Sequence, residues 1–405
     1  MKILHTSDWH IGHKLHQQER TEEHLHFFQW LMQVIESERV DLLVISGDIF
    51  DVGYPSNAML QQYYDFILQL KESHCKRIII TGGNHDQIST LNAPKELLRQ
   101  FKIDVVGGMP NSLDQEIFYI DNGEKEIAII ATPFLRDRDI RQSLPGESFE
   151  DKMKATEAGI VAHYRQAVDH VLQEKESSPF ILAMGHLLVT GASTSESERE
   201  IHIGTLQGID ANLFPEEIDY FALGHIHRPQ KIKSHSEVRY SGSPIPLSFS
   251  EHRDTKQVVL IDIDKDNKMS VTTKDVPKLR KWGRVKGTLE EVKETLSQHT
   301  KETSRKDWFE VQIVEPQYHP DIIVAYEQWL ETERENEQYK VIKESLRFES
   351  NHSKRKEAQQ YARDLSEMSV EEVFDSLLMD HHIEEREPLM QTLKELISNN
   401  PTLLD

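Results

Sequence analysis

Over the first 275 residues short apolar runs alternate with amphipathic segments, the pattern of strands and helices in a layered α/β domain. The runs Ile3–Thr6, Leu42–Ser46, Ile78–Thr81, Ile127–Ala131, Ile181–Met184 and Tyr220–Leu223 predict buried strands. Between them, Glu22–Glu38, Ala58–Glu72 and Lys152–Gln173 space their apolar residues as helices do, for example Met59, Tyr63, Ile67 and Leu70. Val258–Ile263 and Met269–Thr273, turned at Asp266-Asn267, predict a hairpin that closes this domain.

The texture changes after Val276-Pro277. Two strand-like pieces, Arg284–Gly287 and Phe309–Val314, flank a helical pattern over Leu289–Gln298, and a helix around Ile322–Leu330 and a strand around Tyr339–Phe348 follow. We read residues 276–348 as a small α+β cap domain. The polar stretch from Glu349 to Lys356 has no apolar periodicity and reads as a linker. Beyond it, Val370, Val373, Phe374, Leu377 and Leu378 share one helical face, and Leu389, Leu393, Leu396 and Ile397 another, with Pro388 as the break. Residues 349–405 therefore read as a linker and a helical tail able to dock on another chain.

Composition narrows the class. A chain of 405 residues is long enough for about two or three domains and a large core. Its single cysteine, Cys75, cannot form an intrachain disulfide; no stretch is apolar enough to span a bilayer, and no apolar leader follows Met1-Lys2-Ile3-Leu4. The expected compartment is the cytoplasm, without a membrane partner. Lys plus Arg number 47 against 69 Asp plus Glu, a formal charge of −22. A polyanionic substrate must therefore be met by a local patch, a metal or a partner rather than by bulk charge.

Five small clusters of Asp, Asn and His each follow a predicted strand: Asp8-Trp9-His10, Gly47-Asp48, Gly83-Asn84-His85-Asp86, Gly185-His186 and Gly224-His225-Ile226-His227. The carboxyl ends of parallel strands form one rim, so clusters that are weak singly would converge there. Residues i and i+2 of an extended strand share a face, which would bring both members of Asp-x-His and His-x-His to one region. Carboxylate, amide oxygen and imidazole make a ligand set suited to Mn, Fe or Zn. Asp8, His10, Asp48, Asn84, His186, His225 and His227 are too many ligands for one tetrahedral ion and enough for two. A shared carboxylate would hold two ions ~3.5 to 4 Å apart, the spacing used for displacement at phosphorus.

The order Asp-x-His, Gly-Asp, Gly-Asn-His-Asp, Gly-His, Gly-His-x-His resembles that of the calcineurin-like metallophosphoesterases. The strings Thr6-Ser7-Asp8-Trp9-His10-Ile11-Gly12 and Ser46-Gly47-Asp48-Ile49-Phe50-Asp51 are similar to those of the nuclease subunits of DNA double-strand-break repair complexes. The resemblance implies a four-layer sandwich, two mixed sheets flanked by helices, and two divalent ions, with manganese expected. It implies Asp8, His10, Asp48 and His227 on one ion, Asp48, Asn84, His186 and His225 on the other, and His85 as the proton donor to the leaving 3′ oxygen. It further implies a homodimer, in contact around Ala58–Glu72 and Leu97-Leu98, within a heterotetramer whose ATPase partner is gripped by the tail. Such a complex is an ATP-dependent 3′ to 5′ double-strand exonuclease that also cuts single strands and opens hairpins. The ATP belongs to the partner, since no Gly-x-x-x-x-Gly-Lys-Ser/Thr occurs in this chain.

Other readings stand beside these. The same clamp would serve a cyclic-nucleotide phosphodiesterase or a phosphoprotein phosphatase, and a non-catalytic scaffold would use the tail alone. Most of the 21 histidines must be surface or packing residues; His13, close behind the first cluster, is weighed as a substrate contact. Asp51 and Asp86 either orient histidines or tie turns. Ser241-Gly242-Ser243-Pro244 is either a phosphate-binding nest or a plain tight turn.

Overall fold

The computed structural model describes residues 1–121, 126–141, 146–174, 179–198, 208–301, 303–333, 336–349 and 388–393. Two six-stranded sheets carry the architecture. Sheet I runs, in spatial order, Met269–Asp275, Gln257–Ile263, Lys2–Thr6, Leu42–Ser46, Arg77–Thr81 and Ile103–Val106. Its last four strands are parallel, in register Ile3 with Leu42, Leu42 with Arg77 and Ile78 with Ile103, and Gln257–Ile263 joins antiparallel with Ile261 opposite Ile3. Sheet II runs Gln230–Ile232, Glu237–Tyr240, Tyr220–Gly224, Phe180–His186, Glu126–Ala131 and Ile117–Asp121, parallel through its four central strands and antiparallel at both edges.

Alternation along each strand explains the layering. Leu4, Leu43, Ile45, Ile78 and Ile80 pack toward the helices Thr21–Glu38 and Asn57–Lys71, with Phe27, Leu31, Phe66 and Leu70. The intervening Ile3, Leu42, Val44 and Ile79 meet Ile127, Ile129, Leu182, Met184 and Ala222 of sheet II. On the far side of sheet II, Ala128, Ile130, Ile181 and Phe221 pack with Ile160, Tyr164 and Val168 of the helix Phe149–Glu174. The result is the expected four-layer sandwich. Both faces of each central strand are buried, which is why these strands read as unbroken apolar runs.

Within the two large sheets, four strands escape the apolar-run pattern. Ile103–Val106 is interrupted by Asp104, a buried carboxylate paired with Arg77 Nε at 2.6 Å and Arg99 Nε at 3.7 Å. Ile117–Asp121, Gln230–Ile232 and Glu237–Tyr240 lie at or beside the edges of sheet II, where partial exposure admits polar residues. The hairpin after Val258 turns at Asn267, whose φ of 65° fits a tight turn.

The chain divides into two compact units: Met1–Arg284 with Thr300–Glu310 and Asn336–Lys343, and Val285–His299 with Val311–Glu335 and Glu344–Asp405. A three-stranded sheet runs in the order Trp282–Gly287, Asp307–Glu315, Tyr339–Phe348. In the second unit the helix Leu289–Ser297 begins at a capping box between Thr288 and Glu291, and Leu289 N–H donates to Glu315 Oε1 at 2.8 Å. Of the tail, residues 388–393 are described and helical, with Thr392 Oγ1 donating to the Pro388 carbonyl. The expected face from Val370 to Leu378, together with Leu396 and Ile397, lies outside the described residues. Among the described residues no helix is long and apolar enough to cross a membrane.

Candidate metal centre

The clusters converge, but on the joined rims of two sheets rather than on one. Sheet I delivers Asp8, His10, Asp48, Asn84 and His85 from the loops after three of its strands; sheet II delivers His186 as the last residue of one strand and His225 and His227 after the next. Close approach of the two rims requires glycine: a Cβ on Gly224 would overlap the Ser46 carbonyl oxygen, and one on Gly47, at φ +82°, would overlap the His186 ring. The i, i+2 argument from extended strands does not describe the local backbone. Asp8 and His10 have left, at φ 52° and 47°, the strand that ends at Thr6. Trp9 between them is fully buried against Phe27, Phe28 and Phe66, and its carbonyl lies 2.7 Å from His24 Nε2. The buried indole anchors this loop, so its two polar neighbours turn to the rim.

Three groups of possible ligand atoms form there: Asp8 with His10 and His227, Asp8 with Asp48 and His186, and His10 with Asp51 and His85. Asp48 Oδ2 lies 3.5 Å from His10 Nε2 and 3.3 Å from His186 Nε2, within reach of both histidines. Asn84 Oδ1 is 2.9 Å from His186 Nε2. The His225 ring stands edge-on to His186 at 5.5 Å, and its N–H donates to Asp8 Oδ1 at 2.8 Å across the sheet boundary. His85 N–H donates to Asp48 Oδ1 at 2.9 Å, and His85 Nδ1 donates to the Asp51 carbonyl at 2.8 Å.

The donor set fits divalent cations on hydrogen-bond grounds. His186 Nδ1 donates to the Ser46 carbonyl, 3.1 Å away, so in the neutral ring Nε2 carries a lone pair that faces the oxygens of Asn84 and Asp48. His10 Nδ1 faces Asp51 Oδ1 at 3.1 Å, which likewise turns a lone pair toward His227 Nε2 at 3.2 Å. Lone pairs facing lone pairs repel unless a proton or a metal cation lies between them. Electrostatics agree. Burial and the neighbouring Asp48 push the Asp8 carboxyl up to about 7, although the histidines oppose this. Burial would raise Asp48 as well, yet His186 and His10 hold it well below the usual carboxylate range. Burial disfavours charge on His186 too, but Asp48 lifts it to about 9. Burial pushes His225 down to about 3. A metal ion held here would compete with protons for the same lone pairs.

An open cavity of about 370 Å³ borders the centre, lined by His10, His85 and His227 together with His13, Lys14 and Lys343. His13 therefore faces the same space as the ligand candidates. The two alternatives for the neighbouring carboxylates divide: Asp51 orients His10, whereas Asp86 ties the loop by accepting from Ile49, Phe50 and Gly83 N–H. Ser241 and Ser243 are fully buried and bonded to Ser7 Oγ and to the His227 carbonyl, so this segment is a structural turn and not a phosphate nest. Pattern reading missed Ser197, Glu198, Glu251 and Lys256, which surround His227. Their residue types are ordinary for a polar loop, and only the folded chain brings the two segments together.

A layered α/β fold with this rim defines a phosphoesterase that works with divalent metal ions. Residues 1–229 match the family described as calcineurin-like phosphoesterase, and residues 278–382 match one described as type 5 capsule protein repressor C-terminal domain. The chain is 33% identical over 401 residues to the SbcD subunit of the nuclease SbcCD of Escherichia coli K12, covering 98% of this chain and 97% of that one. It is 32% identical over 267 residues to the Bacillus subtilis protein of the same name, covering 65% of this chain and 66% of that one. The chain therefore belongs to the calcineurin-like phosphoesterases and, among them, to the SbcD family of SbcCD nuclease subunits.

Proposed function

We propose that this protein is the nuclease subunit of an SbcCD-type complex and hydrolyses DNA phosphodiester bonds in repair, recombination and replication. The observation that carries the reading is likeness over nearly the whole chain to a protein named as such a nuclease, 98% of this chain at 33% identity. Asp8, His10, Asp48, Asn84, His186, His225 and His227 would hold two divalent ions, with manganese as the metal and Asp48 as the shared ligand. When bound, such ions would lower the pKa of a water and neutralise the phosphate.

The remaining work falls to side chains. Asp51 holds His10 with its Nε2 toward the centre. The Asp51 carbonyl takes the Nδ1 proton of His85, so Nε2 is the atom that would pass a proton to the leaving 3′ oxygen. Lys14 and Lys343 on the cavity wall would meet backbone phosphates. A chain of net charge −22 needs more positive surface than that for duplex DNA. We assign that surface, and ATP dependence, to an SbcC-type ATPase gripped by residues 349–405 within a heterotetramer built on a homodimer of this chain. The nuclease domain would be 1–275 and the cap 276–348, the complex being cytoplasmic. The test is hydrolysis by the purified chain with manganese of hairpin and linear DNA, a cyclic nucleotide and a phosphopeptide, each with and without the ATPase. DNA cleavage abolished by Asp48→Ala is expected; hydrolysis confined to the small phosphoesters, or none at all, would overturn the reading.

A further inference from the structure

His10 and His227 face each other through Nε2 atoms 3.2 Å apart, yet they are held from behind by different means. The His10 Nδ1 meets a carboxylate directly, that of Asp51. Behind His227 Nδ1 stands a hydroxyl, Ser197 Oγ, at 2.6 Å. The fully buried carboxylate of Glu251 stands behind that, its Oε1 2.6 Å from the same hydroxyl. Lys256, also buried, closes the line with Nζ 2.5 Å from Glu251 Oε2.

The protons in this line have one consistent arrangement. An ion-paired carboxylate only accepts, and it is the strongest acceptor within reach of the Ser197 proton. Ser197 Oγ therefore donates to Glu251 and accepts from His227 Nδ1–H. The imidazole is left with its lone pair on Nε2, on the side of Asp8 and His10. The backbone of His227 is pinned as well. Its N–H donates to Glu198 Oε1 at 2.9 Å, and its carbonyl accepts from Lys256 Nζ at 2.8 Å and from Ser243 N–H at 3.1 Å. Because Glu251 and Lys256 neutralise each other, the line orients the ring without adding net charge beside the centre.

We propose that Ser197 and Glu251 are positioning residues for His227, a relay that fixes the Nδ1–H tautomer and presents Nε2 to a divalent cation. The proposal rests on His227 being a ligand, as in the function proposed above. Outer partners of this kind are worth 10- to 100-fold in metal affinity in metal sites generally.

The full-length chain, stripped with EDTA and checked for folding by circular dichroism, is titrated with MnCl2 in a calorimeter. Ser197→Ala is expected to weaken one manganese equivalent by about 10- to 100-fold and to leave the other unchanged, and Ser197→Thr to restore the wild-type isotherm. In ¹⁵N imidazole spectra without metal, His227 is expected as the Nδ1–H form in the wild type and as a tautomer mixture in Ser197→Ala. If Ser197→Ala binds manganese as the wild type does while His227→Ala has lost that equivalent, the relay is wrong and the ligand stands. If His227→Ala keeps both equivalents, His227 is no ligand and the relay falls with it.

Discussion

The two sheets bring unequal goods to their common rim. Sheet I supplies every oxygen ligand candidate, Asp8, Asp48 and Asn84, with one imidazole ligand candidate, His10; sheet II supplies imidazoles alone, His186, His225 and His227. Each side also steadies the other. The Ser46 carbonyl of sheet I takes the Nδ1 proton of His186, and the His225 N–H beyond sheet II donates to Asp8. Neither rim is a site by itself. Metal affinity is therefore coupled to the packing of the sandwich, and a change that separates the halves should act on both.

The largest effect expected is at the carboxylate within reach of both His10 and His186. Asp48→Ala should abolish binding of both manganese equivalents in a calorimetric titration and bring DNA hydrolysis to background, since Asp48 Oδ2 is close to His10 and to His186. Next comes a change that spares the metals. His85→Ala should keep manganese affinity while turnover on a hairpin substrate falls by about 100- to 10,000-fold, the usual worth of a general acid. Near-normal turnover in that variant would remove His85 from the mechanism.

A smaller effect, on stability, tests whether the halves are held as closely as the glycines suggest. In Gly224→Ala the new methyl meets the Ser46 carbonyl oxygen, backbone that cannot step aside. Overpacking of this kind costs about 1 to 3 kcal/mol. The urea midpoint should fall with an unchanged slope, and manganese binding should weaken alongside it. Unaltered stability would show that the rims have slack.

Much of this fold is legible in the chain because its central strands are buried on both faces, which leaves runs such as Leu42–Ser46 and Ile127–Ala131 with no polar residue before their ends. Strands with one wet face or a paired charge, such as Ile103–Val106 with Asp104, do not announce themselves in that way. The separation into two sheets was implied by family likeness, not by periodicity: a run buried between two sheets reads no differently from one buried between a sheet and a helix. At the rim, residue types pointed to the ligand candidates. The left-handed backbone that aims Asp8 and His10 has no pattern in the sequence. The Ser197 and Glu251 line was invisible for another reason: its members are ordinary polar residues from separate segments, given meaning by two contacts of 2.6 Å.

The smallest effect concerns the interior between the sheets, away from the rim. His5 is fully buried on sheet I and reaches sheet II through Nδ1, 3.0 Å from Tyr220 Oη. Burial, with the Arg239 charge adding to it, pushes the His5 pKa down to about 3. An unfolded chain would protonate His5 near pH 6.5, so below that pH the unfolded state binds the extra proton and is favoured. The stabilising contribution of neutral His5 is thus complete above about pH 6.5 and drains as the pH falls toward 3. Between pH 6 and 5 the loss should be roughly 1 kcal/mol. Urea unfolding in EDTA at both values, for the wild type and for His5→Gln, isolates this from the rim histidines, which titrate in both chains. The wild type should lose about 1 kcal/mol more than the variant over that interval; equal losses would mean that the imidazole between the sheets can take up a proton, and that the two halves are less tightly sealed there than at Gly224.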